Sequence, residues 1–272
     1  MADADANLAL LQRVADGMLA ASSRGRTVRS IGPFRTCIAQ SSDAYLMSLA
    51  LPVQTPDEWA PAIARLEAYF AACQRTVRLE FFEELFPTLA PALEAAGIVR
   101  QMTAPVMACT PDAFRPAPSS SVRIATAPAS AAPAALAALD AHDAAAIDAF
   151  LNLQADAFGM PLATAHAWRS TLATGLADGM ILGTVATIAG VVASGATLLV
   201  GGDVAELAGV GTGASFRRRG LGSAVCSQLM ARYFAGGGTL CWLSAGPEAL
   251  ALYQALGFRT IGTQINIGRQ RG

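Results

Sequence analysis

The clearest hydrophobic pattern lies in the second half of the chain. Between Asp178 and Asp203 no residue is charged, and β-branched residues are frequent. The dipeptide at 189–190, Ala-Gly, divides this stretch into two apolar runs. The composition predicts two buried neighbouring strands joined by a turn. The alternative is a membrane span over residues 180–200, which is disfavoured by the glycines and hydroxyl-bearing residues inside the stretch.

The pattern after this stretch alternates strands and helices. A strand is predicted over 205–212, and the helix that follows carries one apolar face. The residues of that face are Leu221, Val225, Leu229 and Tyr233. A short strand follows at 240–243, then a helix over 247–257 that ends at a glycine, and a closing strand at 260–267. This order predicts an α/β (α+β) fold with a mixed sheet flanked by helices.

The first half of the chain repeats part of this order. Residues 55–58, Thr-Pro-Asp-Glu, have the form of a capping box, and a helix with a buried stripe follows them. The residues of the stripe are Trp59, Ile63, Leu66 and Phe70. A strand at 77–82, a helix at 87–97 and a final strand at 105–109 come next.

The last helix of each half has the same spacing. Proline begins and glycine ends both 87–97 and 247–257. We interpret the chain as two related halves, and the alternative is coincidence, because proline and glycine commonly delimit helices. Residues 110–121, rich in proline and serine, are the predicted linker, and a short strand is predicted beyond it at 122–125.

Composition and charge narrow the classes of function. The chain has 19 basic and 20 acidic residues and a net charge of -1, which argues against a nucleic-acid partner. Its five cysteines are widely spaced, and there are only two histidines. We therefore expect neither disulfides nor a metal site. The start of the chain lacks the features of a signal peptide, so we expect a cytoplasmic protein without a membrane partner.

The candidate chemistry is concentrated in one short loop between a predicted strand and a predicted helix. The residues of the loop and helix start are Arg217, Arg218, Arg219, Gly220, Leu221, Gly222 and Ser223. Such a junction directs unpaired backbone N–H groups and the positive end of the helix dipole at one point, where a phosphate can bind. Glycine lets a ligand approach the backbone closely. Taken alone, the pattern also fits a solvated basic turn.

Two motifs, in this order, resemble the signatures of the GNAT superfamily of N-acyltransferases. The first is Arg-x-x-Gly-x-Gly at 217–222, preceded by Leu-Ala-Gly-Val-Gly-Thr at 207–212. The second is Leu-Tyr-Gln-Ala-Leu-Gly-Phe at 252–258. The resemblance implies a GNAT-like, largely antiparallel mixed sheet. We assign residues 116–272 to a GNAT N-acetyltransferase domain and residues 1–115 to a degenerate, truncated copy of it.

The resemblance also implies a co-substrate, acetyl-CoA, and the residues that hold it. The pyrophosphate would accept hydrogen bonds from the N–H groups of residues 218–223. The pantetheine arm would add to the exposed edge of the preceding strand. The edge residues are Val210, Gly211 and Thr212. A backbone N–H near Val210 would polarise the thioester carbonyl. Gly246 stands where many members carry an asparagine that contacts the cofactor, so that contact is not expected.

Two side chains are assigned to the chemistry by the same resemblance. Glu206 matches the catalytic glutamate of some GNAT enzymes and would deprotonate the amine, which with a pKa of about 10.4 is mostly charged at pH 7. Tyr253 would protonate the departing thiolate. The alternatives are a solvated strand-edge carboxylate and a core tyrosine. The first half has Leu93 opposite Tyr253 and lacks the arginine loop, so we expect it to be catalytically empty.

The resulting hypothesis is an N-acetyltransferase that transfers an acetyl group to a primary amine by direct attack in a ternary complex. One alternative is a non-catalytic acyl-CoA sensor or scaffold. Another is a nucleotide-binding protein, although the Lys-Ser/Thr ending of a P-loop is missing. The acceptor, a small molecule or a protein, stays open, and residues 150–168, above all the turn at 156–159, are expected to face it. The oligomeric state also stays open, and a homodimer is compatible with the sequence.

Overall fold

The computed structural model describes residues 2–40, 47–117 and 135–269. Up to residue 117 the elements are α1 (Ala2–Ser23), β1 (Arg26–Ile31), β2 (Phe34–Ala39), β3 (Leu49–Pro52), α2 (Trp59–Ala72), β4 (Arg78–Phe82), α3 (Leu89–Ala95) and β5 (Val99–Cys109). From residue 135 they are β6 (Ala135–Ala138), α4 (Ala144–Phe158), α5 (Leu162–His166), α6 (Arg169–Ala177), β7 (Ile181–Ile188), β8 (Val191–Gly201), β9 (Val204–Thr212), α7 (Leu221–Ala235), β10 (Leu240–Ser244), α8 (Leu250–Ala255) and β11 (Arg259–Gly268). The predicted strand at 122–125 lies outside the described residues.

These elements group into two compact units. Unit 1 consists of the described residues within Met1–Met107, Ser244–Gly246 and Thr260–Gly272. Unit 2 consists of those within Ala108–Leu243 and Pro247–Arg259. The sequence predicts β11 as the closing strand of the second half. In the structure β11 pairs with β4, antiparallel, with Ile265 opposite Phe81. The reason is burial, because both side chains lie in the hydrophobic core of unit 1.

Unit 1 is built on a sheet with the strand order β1-β2-β3-β4-β11-β5. The pairs β1-β2, β2-β3 and β4-β11 are antiparallel, whereas β3 and β4 are parallel, with Ala50 opposite Leu79. The predicted stripe of α2 is buried in the same core as these two residues. Full burial of one large apolar side chain contributes roughly 1.5–3 kcal/mol. The stripe therefore holds α2 on the sheet.

The predicted capping box at 55–58 does not form. Helix α2 begins at Trp59, and its N-cap, Glu58, has extended backbone dihedrals and makes no side-chain cap hydrogen bond. The cause is Pro61. In a helix that began at Pro56, Pro61 would lie in the interior, where its ring clashes with the carbonyl four residues earlier. With the start at Trp59, Pro61 lies in the first turn, where its missing N–H costs no helical hydrogen bond.

Unit 2 is built on the sheet β10-β9-β8-β7-β6. Strands β6 to β9 are successively antiparallel, and β9 and β10 are parallel. The predicted pair of apolar strands is confirmed as β7 and β8, joined at Ala189 and Gly190, both with positive φ. Within the three described ranges, no helix combines the length and apolar character needed to cross a bilayer. The pattern did not predict β6, because its alanines show no alternation.

Helix α4 is capped at both ends and lies close to the backbone of β8. The carboxylate of Asp143 accepts from the Ala146 N–H at 2.9 Å, and Gly159, with φ of 61°, ends the helix. The ring of Phe150 lies 2.7 Å from the position that a Cβ would take at Gly195. Only glycine at that strand position allows so close an approach.

The two helices predicted after the arginine loop are confirmed, with one change at the start of the second. Helix α7 begins at Leu221, and its predicted apolar face is buried. The predicted helix at 247–257 starts as a 3-10 turn, Pro247–Ala249, and continues as α8. Gly257, with φ of 97°, follows its end.

The described part of the predicted linker packs on α8. The Arg115 N–H donates to the Leu256 carbonyl at 3.0 Å. A Cβ at Gly257 would overlap the carbonyl oxygen of Ala113. Further along, the Ala117 N–H donates to the hydroxyl of Ser227 at 2.9 Å. Residues 113–117 are therefore held on the rest of unit 2 by one backbone hydrogen bond, one hydrogen bond to a side chain and close packing at Gly257.

Candidate active site

The two parallel strands of unit 2 separate after Glu206. The ladder between β9 and β10 begins with Val204 opposite Leu240 and ends with Glu206 opposite Trp242. Strand β9 continues to Thr212 and remains paired with β8 on its other side. Beyond Glu206 the other edge of β9 is therefore open, and an extended ligand can add to it as a further strand.

A β-bulge lies in the open part of β9. The pairs Gly195–Gly211 and Thr197–Ala208 enclose one residue of β8 but two residues of β9. The two residues of β9 are Gly209 and Val210. The φ of Gly209 is 61°, which glycine adopts without strain. The bulge thus falls at the residue expected to polarise the thioester carbonyl.

The carbonyl of Val210 and the backbone groups of Thr212 face the open edge. The Gly213 N–H donates to a carbonyl of β8 at 3.0 Å, and the Gly211 carbonyl accepts from the Ser194 hydroxyl of β8 at 2.8 Å. Successive residues of a strand direct their backbone groups to opposite edges. Gly211 therefore directs its own groups toward β8, and Thr212 points away from β8. The Val210 carbonyl lies at the other end of the peptide from the Gly211 N–H, so it also points away from β8.

The loop after β9 presents backbone N–H groups at the start of α7. Arg218 and Gly220 have positive φ, 62° and 77°, and alternation of such residues with ordinary ones forms a concave nest of N–H groups. The first hydrogen bond within α7 runs from the Ala224 N–H to the Gly220 carbonyl at 3.0 Å. The N–H groups of residues 221–223 therefore have no acceptor in the helix, and the helix dipole adds positive potential there. This is the geometry of a phosphate site.

The three arginines of the loop have different surroundings. Arg217 donates from Nε to the Thr212 carbonyl at 3.2 Å. Arg219 donates to the backbone of the preceding 3-10 turn at 3.0 Å and lies over the ring of Phe216, 5.6 Å from its centroid. Arg218 is exposed. Two of the arginines thus hold the shape of the loop, and the third extends into solvent.

Tyr253, on α8, is buried in unit 2 with 7% of its surface exposed. Its ring packs edge-on against Phe258, with centroids 5.8 Å apart. Burial raises the pKa of the Tyr253 hydroxyl, and the nearby Cys226, Glu248 and Cys241 raise it further. Within the described residues the hydroxyl makes no hydrogen bond, whereas a core tyrosine usually has a partner for it. It is therefore protonated at neutral pH and available as a donor.

Glu206 is half-buried and projects from the face of the sheet that α4 covers. It lies opposite Leu199 of β8. Directly opposed residues share a face, and Leu199 is four residues beyond Gly195, against which Phe150 of α4 packs. The carboxylate is thus placed on the side of β9 that carries α4, at the point where β9 and β10 separate.

Gln154 of α4 has no counterpart among the sequence predictions. It is 8% exposed, and its Nε2 donates to the Gly209 carbonyl at 2.7 Å. The signal in the sequence is a polar residue between Leu153 and Ala155, on a buried turn of an amphipathic helix. A buried polar side chain needs a partner, and the glycines of the predicted strand at 205–212 leave backbone accessible to it.

The cysteines near the site are unsuited to carry an acyl group. Burial raises the pKa of Cys226 to about 12 and that of Cys241 well above its ordinary value. Both remain thiols at neutral pH, and the thiolate is the reactive form. All five cysteines are free. In the described ranges no three His, Cys, Asp or Glu side chains come together as a metal site.

The region predicted to face the acceptor has a buried and an exposed part. Phe150 belongs to a core cluster of unit 2, and Trp168 packs against it. Phe158 and Leu162 are 52% and 55% exposed and lie on either side of the left-handed Gly159. The end of α4 thus presents apolar surface to solvent.

Comparison with known proteins supports the resemblance to the GNAT family that the two sequence motifs indicate. The family model of the acetyltransferase (GNAT) family matches residues 147–258. A GCN5-related N-acetyltransferase from Kribbella flavida is similar over 96% of both chains, with 24% identity and a TM-score of 0.76. One from Sphaerobacter thermophilus is 16% identical, with a TM-score of 0.60 over 87% of this chain and 76% of that chain. A tandem GNAT protein from the clavulanic acid biosynthesis pathway is 13% identical, with a TM-score of 0.61 over 94% of this chain and 88% of that one. None of the curated proteins compared matches the chain.

The fold and the matched domain define the class of protein as an acyltransferase. Residues 147–258, which include the bulge, the arginine loop and Tyr253, form a domain of the acetyltransferase (GNAT) family. The solved structures cover the first half of the chain as well. The predicted GNAT-like fold, with a mixed and largely antiparallel sheet, is thereby confirmed.

Proposed function

We propose that the protein is an N-acetyltransferase that moves the acetyl group of acetyl-CoA to a primary amine by direct attack in a ternary complex. The observation that carries this proposal is the succession of three features along one segment of unit 2: the bulge in β9, the open edge that continues to Thr212, and the N–H groups at the start of α7. Acetyl-CoA has a matching succession of thioester, extended amide-bearing arm and pyrophosphate.

The donor is held mainly by backbone groups in this proposal. The pyrophosphate accepts hydrogen bonds from the N–H groups of residues 218–223, and Arg218 supplies exposed positive charge. The arm pairs with Val210 and Thr212 at the open edge. Because the Arg217 side chain occupies the Thr212 carbonyl, we expect it to turn toward the phosphates when the arm binds.

The transfer itself requires one bond to form and one to break. The amine nitrogen attacks the thioester carbon and forms the C–N bond, and the carbonyl oxygen becomes an oxyanion that accepts from the Val210 N–H. The intermediate collapses when the C–S bond breaks. Before the attack the ammonium group loses one proton to Glu206, which leaves a neutral amine. As the C–S bond breaks, CoA takes a proton from Tyr253, and the nitrogen gives up its second proton through solvent, which restores the Tyr253 hydroxyl. Glu206 releases its proton to solvent. The products are the amide and the CoA thiol.

Glu206 acts through water in this scheme. Val210 lies four positions further along the strand, which corresponds to about 13 Å along an extended chain. A carboxylate cannot bridge that distance directly, so the proton passes through a chain of ordered waters in this scheme. The exposed apolar surface at Phe158 belongs to α4, the helix that covers the same face of β9 as Glu206. We expect the acceptor to be an amine attached to an apolar body.

Tyr253 is the residue through which the proposal is tested. Tyr253→Phe removes the hydroxyl donor and keeps the buried ring. We expect thiol release from acetyl-CoA, assayed with a panel of amines, to slow by roughly 100-fold, while the dissociation constant of CoA stays within about twofold. Tyr69→Phe, on α2 of unit 1, is the matched control and should leave turnover unchanged.

Each outcome of this assay has a distinct meaning. Unchanged turnover in Tyr253→Phe removes Tyr253 from the mechanism. Tight CoA binding without thiol release for any amine supports the sensor or scaffold alternative. A wild-type protein that binds neither acetyl-CoA nor CoA in calorimetry contradicts the proposed function as a whole.

A further inference from the structure

Gln154 lies where α4 meets the bulge, and its carboxamide lies against the backbone of β9. Its Nε2 donates to the Gly209 carbonyl at 2.7 Å. A Cβ at Gly209 would lie 3.0 Å from Oε1, and a Cβ at Gly211 would lie 3.3 Å from Nε2. The two glycines therefore leave the space through which the side chain reaches the strand.

The bulge explains why a side-chain donor is present here. A bulged strand has one residue more than its partner, so a peptide group of the bulge loses its ladder partner. A buried carbonyl without a donor is costly. Gln154, itself buried, supplies the donor that the shorter partner strand cannot.

Two other carbonyls in this part of β9 accept hydrogen bonds from hydroxyls of β8. The Ala208 carbonyl accepts from the Thr197 hydroxyl at 3.1 Å, and the Gly211 carbonyl accepts from the Ser194 hydroxyl at 2.8 Å. Both hydroxyls belong to β8. The Gly209 carbonyl, between them, accepts from α4 instead. The orientation of this one peptide group is thus set by Gln154.

We propose that Gln154 is a positioning residue that fixes the peptide between Gly209 and Val210, so that the Val210 N–H faces the open edge of β9 and stabilises the oxyanion. The Gly209 C=O and the Val210 N–H are opposite ends of one planar trans peptide, so holding one end sets the direction of the other. A hydrogen bond accepted by the carbonyl also polarises the N–H of the same group. This inference rests on the proposed function.

The test compares the wild type with Gln154→Leu, and uses Gln12→Leu as a matched control. Gln12 is exposed on α1 of unit 1 and bonds to Asp16. Infrared spectra of bound acetyl-CoA labelled with ¹³C at the thioester carbonyl report the hydrogen bond to that oxygen. We expect the carbonyl band to lie lower in the wild type and in Gln12→Leu than in Gln154→Leu. We also expect kcat to fall about 10- to 100-fold in Gln154→Leu, with the dissociation constant of CoA within about twofold.

Two further measurements test the inference even if Gln154→Leu does not fold. Gln154→Glu keeps the length of the side chain without the donor and should reproduce the shift of the carbonyl band. In the wild type, acetyl-CoA should slow hydrogen exchange of the Val210 amide more than CoA does. An equal effect of the two ligands overturns the inference.

The remaining outcomes separate this inference from the proposed function. An identical carbonyl band in the wild type and Gln154→Leu overturns the role of Gln154 and leaves the proposed function standing. An equal loss of CoA affinity and of kcat shows a merely structural side chain and has the same consequence. Absence of acetyl-CoA binding in the wild type overturns both.

Discussion

Each unit contains a strand, a loop and a helix in which the strand runs parallel to the strand that follows. In unit 1 these are β3, residues 53–58 and α2, and in unit 2 they are β9, residues 213–220 and α7. The loop of unit 1 ends in Pro56, Asp57 and Glu58. The loop of unit 2 ends in three arginines and a glycine. The same backbone plan thus carries opposite charge at the start of the helix.

The difference shows that strand order alone does not make an anion site. The N-cap of α2, Glu58, places a carboxylate near the positive end of the helix dipole, where it would repel a phosphate. The N-cap of α7, Gly220, has no side chain, so its helix dipole and N–H groups are accessible to a ligand. Leu93, opposite Tyr253 in the repeat, is fully buried and has no proton to donate. Unit 1 is therefore expected to be a scaffold without donor chemistry.

The largest effect is expected at the glycine that follows the last helix of each repeat. Gly97 and Gly257 both have positive φ, 75° and 97°. A Cβ at 97 would meet only the end of the Arg269 side chain at 3.2 Å, whereas a Cβ at 257 would overlap the backbone of Ala113. Alanine costs about 1–2 kcal/mol in this backbone region, and displacing packed backbone adds about 1–3 kcal/mol. We expect Gly257→Ala to lower the free energy of unfolding by about 2–5 kcal/mol and Gly97→Ala by about 1–2 kcal/mol.

Thermal unfolding of the two variants measures this difference. In a chain of this size 1 kcal/mol corresponds to roughly 2–4 °C in Tm, so Gly257→Ala should lose roughly 10 °C and Gly97→Ala a few degrees. Equal losses would mean that Ala113 and its neighbours yield easily, and that the close contact at α8 does not distinguish the two repeats.

The local sequence pattern was sufficient to predict much of the secondary structure of unit 2. The loop at 217–223, its flanking strand and helix, and the hairpin at Ala189 follow from residue types a few positions apart, because turns, caps and apolar stripes are local properties. The site also depends on features that are not local. The bulge at Gly209 requires the register of β8, and the contact of Gln154 requires the packing of α4 on β9.

The two wrong predictions that concern unit 1 have different origins. The partner of β11 is chosen by burial of Ile265 in a core whose other members are distant in sequence. The capping box failed for a reason that was visible in the sequence, since Pro61 excludes a helix that begins at residue 56. Local motifs therefore have to be checked against the residues one turn further along.

The next largest effect is expected from substitutions at the two N-caps, Gly220 of α7 and Glu58 of α2, whose effects on CoA affinity are compared. Gly220→Val places a β-branched residue at φ of 77°, which such residues rarely adopt. We expect the loop to rearrange and the dissociation constant of CoA to rise about 100-fold, which is about 2.7 kcal/mol. Glu58→Val changes the equivalent position of α2 and should leave CoA affinity within about twofold. Isothermal calorimetry measures both, and a loss of affinity in Glu58→Val would assign a donor role to unit 1.

The smallest effect is a pH dependence of stability that arises from the buried thiols. Burial raises the pKa of Cys226 to about 12 from an ordinary value of 9.0. The unfolded chain therefore loses this proton first as the pH rises. The contribution of the protonated thiol to the free energy of unfolding is therefore fully present below about pH 9. It is lost progressively toward pH 12, by about 1.4 kcal/mol per pH unit for one such thiol.

Urea unfolding between pH 8 and pH 10.5 measures this dependence and compares the thiols of the two units. Cys226→Ala removes one buried thiol from unit 2 and should make the loss of stability with rising pH less steep. The slope should not vanish, because burial also raises the pKa of Cys109 to about 12. Cys73→Ala, at a half-buried position of unit 1, should keep the wild-type slope. If Cys226→Ala keeps it too, ionisation of that thiol does not limit stability, and the alkaline loss has to come from other groups.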